Sequence, residues 1–553
     1  MLKYSSRVPQ LLVRTSLSET NSVLCIRKCS NHRFTIGLEV HVQINSSSKL
    51  FSRSPQKFAS PPNTNVSLFD CAIPGTLPVI NHYCVEAAVR SGLALNCQIN
   101  SNCCFDRKHY FYPDTPSGYQ ITQKREPIAF NGSIRFPVIT TRNRSACLKR
   151  TRLKAIQLEQ DTGKTLQDSK LERNLLDLNR CGFALMEFVF DPDLENEFEA
   201  VALIQELMNV LRRLDVCSCK LDEGAIRIDA NISTNSGNKV EIKNLNSINS
   251  LSRALILESE RQINLLEQGQ EVVSETRTYD PTRDETFSMR RKDDFEDYRY
   301  MPEPNLPPLR LTFDSDSRHD DHQVVSVSRL RKSLPFFADQ ERETLLKKYQ
   351  VPLYLACSIV RNGLFNFFVA VMDHNPRVNV DTVAEFIGFH YQACLSENGA
   401  SNPDVVSPRF IFDCLTLIGD KQISVGTAVN AISLSIQGDS DSPKDIVEKH
   451  GWRMIQDENL IKEECLLVVN AFPRAALLAK RGAYLWHIKI CEGVERKYDN
   501  QFPRSVVFAT VKSVLESLDE KELRKNVQEY RKRMKKTAHQ HAELEEMEKS
   551  NLF

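Results

Sequence analysis

An alternation near the start of the chain limits its folding more than any other feature. Ile36, Leu38, Val40, Val42 and Ile44 are apolar, and Gly37, Glu39, His41 and Gln43 between them are small or polar. A side-chain period of two is the pattern of a half-buried β-strand. One face must pack on a core. The other carries Glu39, His41 and Gln43, about 6–7 Å apart along the strand. The form recurs in Tyr119–Gln123, Ala155–Asp161, Leu185–Val189, Ile226–Ile232 and Val240–Lys243. Several of these segments supply a carboxylate from an otherwise apolar run: Glu39, Glu159, Glu187 and Asp229, with Glu223 just before the last. If the strands share a sheet, the acids line one concave face. Clustered carboxylates repel and are costly to desolvate unless cations compensate. Mg²⁺ is the usual hard cation for oxygen ligands, and His41 is compatible with such a site. For any single acid, pairing with an arginine, as Glu187 and Asp229 with Arg180 and Arg227, is an equal alternative.

Two stretches, Phe198–Leu214 and Ile248–Leu266, have helical spacing without Pro or Gly. Strands with inserted helices predict an α+β domain on an antiparallel sheet over 34–312. The prolines at 302, 304, 307 and 308 are expected to close it. Residues 320–420 read as a helical domain, with helices over Asp339–Tyr349 and Val383–Cys394, and 421–553 read as a helical tail domain. Asp439 or Ser442 is expected to cap the helix after the Gly438–Pro443 loop.

Residues 1–33 differ from the rest. Lys3, Arg7, Arg14, Arg27, Lys28 and Arg33 are basic, Ser and Thr are frequent, and Glu19 is the only acid. No long apolar segment follows them, so the reading is an organellar transit peptide addressed to the mitochondrial matrix. Elsewhere no apolar run approaches the roughly 20 residues of a membrane span, so no membrane insertion is expected. The net charge of +1 makes the chain no polycation, so nucleic-acid contact has to be local. The 16 cysteines form no Cys-x-x-Cys pair and read mostly as reduced, inert thiols. Gly163-Lys164-Thr165 looks like the end of a P-loop, but the first glycine of that motif would fall on Leu158. No Rossmann fingerprint or nucleophilic Cys or Ser constellation is present.

Taken together, the motifs resemble the B subunits of glutamyl-tRNA(Gln) amidotransferases in their mitochondrial form. The matching stretches are IGLEVHVQ at 36–43, SKLF at 48–51, RKHYFYPD and GYQIT within 107–122, LEQDTGK at 158–164 and DLNRCGFALMEFV at 177–189. They continue with DEGAIRIDANIS at 222–233, VEIKNLNSINSLSRAL at 240–255, ETRTYD at 275–280 and DYRYMPEPNLPPL at 297–309. The C-terminal part matches more loosely, best in DIVEKHGW at 445–452.

The resemblance implies one member of a three-subunit ligase. A glutaminase A subunit supplies ammonia, and a small C subunit straps the other two together. The B subunit takes up Glu-tRNA(Gln), activates the glutamate γ-carboxylate with ATP and Mg²⁺, and lets ammonia displace phosphate. The implied site falls on Glu39, His41, Glu159, Glu187, Glu223 and Asp229, with His41, Glu159 and Glu187 as metal ligands or partners of the metal's waters, and Glu39, Glu223 and Asp229 as positions behind these or at a second metal. Lys108, Arg180 and Arg227 are candidates for phosphate contact, with structural ion pairs as the alternative. Tyr110 and Tyr112 are candidates to stack on adenine or on the tRNA end, a core position being the alternative. Family positions that carry zinc-type cysteines read Ser52, Ser54, Ser67 and Asp70 here, so no zinc is expected. In the tail, the family's Gly-Lys-rich helix reads Arg481-Gly482-Ala483-Tyr484, and the basic run 531–536 is a substitute or only a solvated helix face. A non-catalytic tRNA-binding scaffold is the competing reading of the whole chain.

Overall fold

A computed structural model describes residues 32–140, 145–234, 237–291, 298–313, 325–376, 378–400 and 402–529. The expected transit peptide lies almost entirely outside the described residues, as does the basic run 531–536. The chain divides into two units after Asp339.

In the first unit the strands are β1 (Phe34–Gln43), β2 (Gln98–Ile99), β3 (Asn102–Cys103), β4 (Asp106–His109), β5 (Tyr119–Thr122), β6 (Ala129–Thr140), β7 (Ser145–Gln160), β8 (Lys164–Asp168) and β9 (Arg173–Asp177). They continue with β10 (Ala184–Phe190), β11 (Ile226–Thr234), β12 (Val240–Leu245), β13 (Glu275–Asp280), β14 (Glu285–Arg291), β15 (Met301–Pro302), β16 (Leu309–Thr312) and β17 (Val325–Ser326). The helices are α1 (His82–Ala94), α2 (Glu197–Arg213), α3 (Ile248–Glu267) and α4 (Val327–Lys332).

Nine strands form one sheet in the order β14-β13-β12-β11-β1-β10-β7-β6-β2, antiparallel except where β12 meets β13. The strand with the clearest alternation, β1, therefore sits in the middle. Its Ile36, Leu38, Val40 and Val42 are fully buried. On the apolar side α1 packs on β6 and β7, α2 on β6, and α3 on β11 and β12. Because the helices cover that side, the polar residues of the strands share the other. The α+β expectation holds. So do both inserted helices, each started by a side-chain cap: Asn196 accepts from the amide of Glu199, and Ser247 from that of Ser250.

The division of the chain needs correcting. The prolines after 301 do not close the first unit. The chain returns through β16, β17 and α4, whose Leu309, Leu311, Val325, Val327 and Leu330 join the core built on β1. The unit ends at Asp339 instead of 312.

In the second unit the helices are α5 (Ala338–Lys347), which carries the chain across the division, α6 (Leu353–Arg361), α7 (Phe365–Asp373), α8 (Val380–Glu385), α9 (Gln392–Glu397), α10 (Pro408–Gly419), α11 (Val425–Ile436) and α12 (Pro443–His450). They continue with α13 (Glu458–Ala471), α14 (Pro473–Lys480), α15 (Tyr484–Lys497) and α16 (Arg504–Ser517). A boundary at 421 would cut through packed helices, since α11 rests on α9, α10 and α12. A separate core runs from Ile461 to Leu523. The helix expected over Val383–Cys394 is continuous but widens to a π-turn at Phe386–Tyr391. There Ser358 donates to the carbonyl of Gly388 at 2.7 Å, and Tyr391 stacks on Phe367.

Ser442 caps α12, accepting from the amide of Asp445 at 3.3 Å. Ser442→Ala should cost about 1 kcal/mol in denaturant unfolding.

Candidate functional site

The polar side of the sheet collects side chains from five strands. On β1, His41 stands opposite Glu187 of β10 and Arg227 of β11, and Glu39 stands opposite Asp229. Glu187 in turn faces Gln157 on β7, and Glu159 faces Leu185, the next inward position of β10. Directly opposed residues have Cβ atoms about 5 Å apart and diagonal ones about 7 Å, so these groups form one connected strip. On its far side β12 adds Glu241 and Lys243, with Glu241 opposite Asn231.

The strip's contacts are specific. His41 Nε2 lies 4.0 Å from Glu187 Oε1. Lys108, from β4 of a small sheet of β15, β4 and β5, brings its Nζ to 3.8 Å from Glu159 Oε1. Gln120 Nε2 on β5 donates to the same oxygen at 3.4 Å and to the carbonyl of Gln160 at 2.9 Å. Asn231 donates to Glu39 at 3.2 Å, and its own buried Oδ1 has no partner among the described residues. An acceptor left this way costs about 1–3 kcal/mol, so it suits a donor brought by a ligand.

Electrostatics separate the acids. Burial raises the pKa of Glu187 and the nearby charge of Glu159 raises it further, while His41 and Lys108 pull it down. Burial likewise raises Asp229 against the opposing pull of His41 and Lys243. Lys108 is held charged, its pKa raised by Glu159 against the effect of burial. Burial works against the Lys243 ammonium, and Glu241 and Asp229 more than offset it.

Two sequence readings come out differently. Arg180 and Arg227 pair with neither Glu187 nor Asp229. Both converge on Asp161, Arg227 as a two-pronged fork with one bond of 3.1 Å, and Arg180 at 3.5 Å. Arg180 also donates to the carbonyl of Thr162 at 3.0 Å. These guanidiniums therefore act as ties for the turn between β7 and β8. Glu223 lies in the turn before β11 and pairs with Lys220 at 2.8 Å, outside the strip's contacts. Tyr112 stacks on Tyr110, with centroids 4.3 Å apart, and is 47% exposed, so it is not a core residue.

Other residues of the site were not evident from the sequence. Tyr298 lies under the Lys108 ammonium, 5.2 Å from its ring centroid. Tyr300 carries a pKa raised by burial and feels Lys108, Glu159 and Glu187. The alternating Tyr-x-Tyr of 298–300 and Glu-x-Lys of 241–243 are the signals that could have found them.

Among the described residues, no three His, Cys, Asp or Glu side chains form a ready-made metal cage. Mg²⁺ does not need one, because it commonly uses one or two carboxylates and fills its shell with waters and substrate phosphates. Glu159 and Glu187 offer the oxygen donors that such a cation takes, whereas the imidazole of His41, 4.0 Å from Glu187, suits one of its waters better than the ion itself. Two neighbouring carboxylates, one of them with its ionised form disfavoured by burial, answer to a hard cation.

At the positions of the zinc-type cysteines, Ser52 donates to Asp70 at 3.1 Å, the Ser67 amide donates to it at 2.8 Å, and buried Lys49 pairs with it at 2.9 Å. Most described cysteines are buried, and burial pushes the thiols of Cys84, Cys97 and Cys181 up to about 12.

The profile of the GatB/GatE catalytic domain matches residues 34–315. The chain is 40% identical over 459 residues to the mitochondrial B subunit of human glutamyl-tRNA(Gln) amidotransferase, covering 80% of this chain and 82% of that one. It is 39% identical over 457 residues to the protein of the same name from Aedes aegypti, covering 81% and 86%. It is 35% identical over 477 residues to the B subunit of the aspartyl/glutamyl-tRNA(Asn/Gln) amidotransferase of Pelagibacter ubique, covering 84% and 93%.

Proposed function

The chain belongs to the GatB/GatE family of amidotransferase B subunits, and from that premise we propose that its polar strip is where ATP energises a carboxyl group attached to tRNA. The protein is one component of a multi-subunit glutamyl-tRNA(Gln) amidotransferase, a carbon–nitrogen ligase of mitochondrial type. The finer reading is a matrix enzyme working with a glutaminase A subunit and a small C subunit. The substrates are Glu-tRNA(Gln), ATP and ammonia from the glutaminase.

A carboxylate is a poor acyl donor because oxide is a poor leaving group. The γ-carboxylate oxygen of the glutamyl group attacks the γ-phosphorus of ATP, ADP leaves, and an acyl phosphate forms. Ammonia then attacks the acyl carbon, phosphate leaves with the bonding pair, and the amide loses a proton. Phosphoryl transfer is mostly positioning and charge neutralisation. Glu159 and Glu187, with His41 through a water, would hold Mg²⁺, which supplies charge neutralisation at the phosphates when bound. Lys108 is kept charged beside Glu159 and can meet a phosphate oxygen. Gln120, the register partner of Lys108 across β4 and β5, donates to the same Glu159 oxygen, so neither group has to reorganise as charge moves. Asn231 orients Glu39, and its unpartnered carbonyl offers an acceptor to the substrate.

The observation that carries this reading is the opposition of His41 and Glu187 beside Glu159 on one sheet face. The test is ATP hydrolysis by the assembled complex on addition of Glu-tRNA(Gln). His41→Ala should lower it by about 10²-fold with assembly intact. Unchanged hydrolysis would remove the site. Glu-tRNA(Gln) binding by the wild-type complex without any ATP consumption would favour the scaffold reading.

A further inference from the structure

Between Glu159 at the end of β7 and Glu187 in β10, the chain leaves the large sheet and makes the hairpin of β8 and β9. Among the described residues these two strands pair only with each other, and neither outer edge meets a third strand. Leu166 and Leu175 stand directly opposite each other, and together with Leu176 and Leu171 of the turn they are 37–61% exposed. A two-stranded hairpin without a covering layer is at best marginally stable in water, and leucines set out in this way are what such a layer buries. The base of the hairpin is nonetheless firmly held. The backbone amide of Asn63 donates to Asp177 at 3.1 Å, its side chain donates to the carbonyl of Leu176 at 2.8 Å, and Asn179 donates to the carbonyl of Pro61 at 2.6 Å. The loop that supplies these contacts exposes apolar side chains of its own, Leu68 and Leu77.

We propose that the β8–β9 hairpin, with the loop that clamps its base, is the docking surface for the ammonia-releasing glutaminase subunit. This rests on the reading of the strip as the amidation site. Three features choose the occupant. The hairpin is neutral, with Lys164, Lys170 and Arg173 balanced by Asp168, Glu172 and Asp177, so a tRNA backbone gains nothing from it electrostatically. Its apolar groups are leucines and not the aromatic faces on which bases stack, and apolar faces of this kind are what permanent protein–protein contacts bury. Its position is the third. The hairpin begins just after Asp161, where Arg180 and Arg227 tie the turn, and the strands before and after it carry Glu159 and Glu187 into the strip. A subunit seated on it stands beside the strip. Ammonia released into water is protonated and diffuses away, and an ammonium ion has no lone pair with which to attack an acyl phosphate. The subunit that makes the ammonia therefore needs a seat at this place, whereas a strap between subunits does not.

The test uses the assembled complex with either glutamine or ammonium chloride as the amide donor. Leu166→Asp combined with Leu175→Asp should release the glutaminase subunit on purification and lower glutamine-dependent amidation of Glu-tRNA(Gln) by about tenfold or more. Amidation from ammonium chloride should stay near the wild-type rate, because the strip is untouched. Retention of the glutaminase subunit by this variant would overturn the proposal, as would equal loss of both activities at an unchanged melting temperature. A benzophenone side chain placed at Leu171 of the otherwise native chain gives a reading that needs no disruption. Irradiation should join it to the glutaminase subunit, and joining to the small subunit or to tRNA instead would overturn the proposal. A complex that crosslinks to the glutaminase subunit yet makes no Gln-tRNA(Gln) from either donor would support the docking surface and strike the amidation reading.

Discussion

Glu187→Gln is expected to lower Glu-tRNA-dependent ATP hydrolysis by about 10³-fold while raising the stability of the free protein at neutral pH. Both effects have one origin. Burial and the neighbouring Glu159 raise the Glu187 pKa against the pull of His41 and Lys108, so the native state binds that proton more tightly than the unfolded chain does. The cost of ionising it is absent below the unfolded value of about 4.3 and grows as pH rises through the raised folded value. Glutamine keeps the shape and removes the charge. The stability gain should therefore be present at pH 8 and fade in acid, as thermal melts of both forms across that range would report. A cation site has the opposite need: it wants the charge that the fold disfavours. Loss of activity together with a lower melting temperature at pH 8 would mean that Glu187 is a structural residue.

The second large effect is one of stability. Lys49 and Asp70 form an ion pair with no exposure of the lysine, and Ser52 and the Ser67 amide complete the carboxylate's hydrogen bonds. Lys49→Met leaves that carboxylate buried without its cation, which should cost about 3–5 kcal/mol in urea unfolding. Adding Asp70→Asn should recover most of the loss, because a buried pair contributes little net once both charges are gone. The double mutant separates a lost charge partner from lost packing. The pair also bears on the site. Gly182 has a φ of +85°, and a Cβ there would sit 3.0 Å from Asp70 Oδ1. The Gly182 amide donates to the carbonyl of Asp161, and β10 with Glu187 begins two residues later. A loosened Lys49–Asp70 pair is thus expected to loosen the turn between Asp161 and Glu187.

These two residues differ in how much the sequence said about them. Glu187 was legible, since a lone acid in the apolar run Leu185–Val189 asks for an explanation. Lys49 was not, because nothing local distinguishes a lysine that meets water from one that meets Asp70. The limits of helices α2 and α3 came within a residue or two, since Asn196 and Ser247 are local caps. The end of the first unit was misjudged by some 27 residues, from 312 to Asp339, because prolines end elements but say nothing of whether the chain comes back.

What the sequence determined by itself was each strand's inward and outward face, hence the apolar side of β1 and the set of acids that share the other. That follows from a period of two, which is local and needs no partner. What only the tertiary structure decided was who stands opposite whom: His41 against Glu187, both arginines against Asp161, Glu223 with Lys220, and Tyr298 beneath a lysine far earlier in the chain. Register and strand order are set by the whole core closing at once, and charge pairing follows the shortest path through space, which the order of residues does not encode.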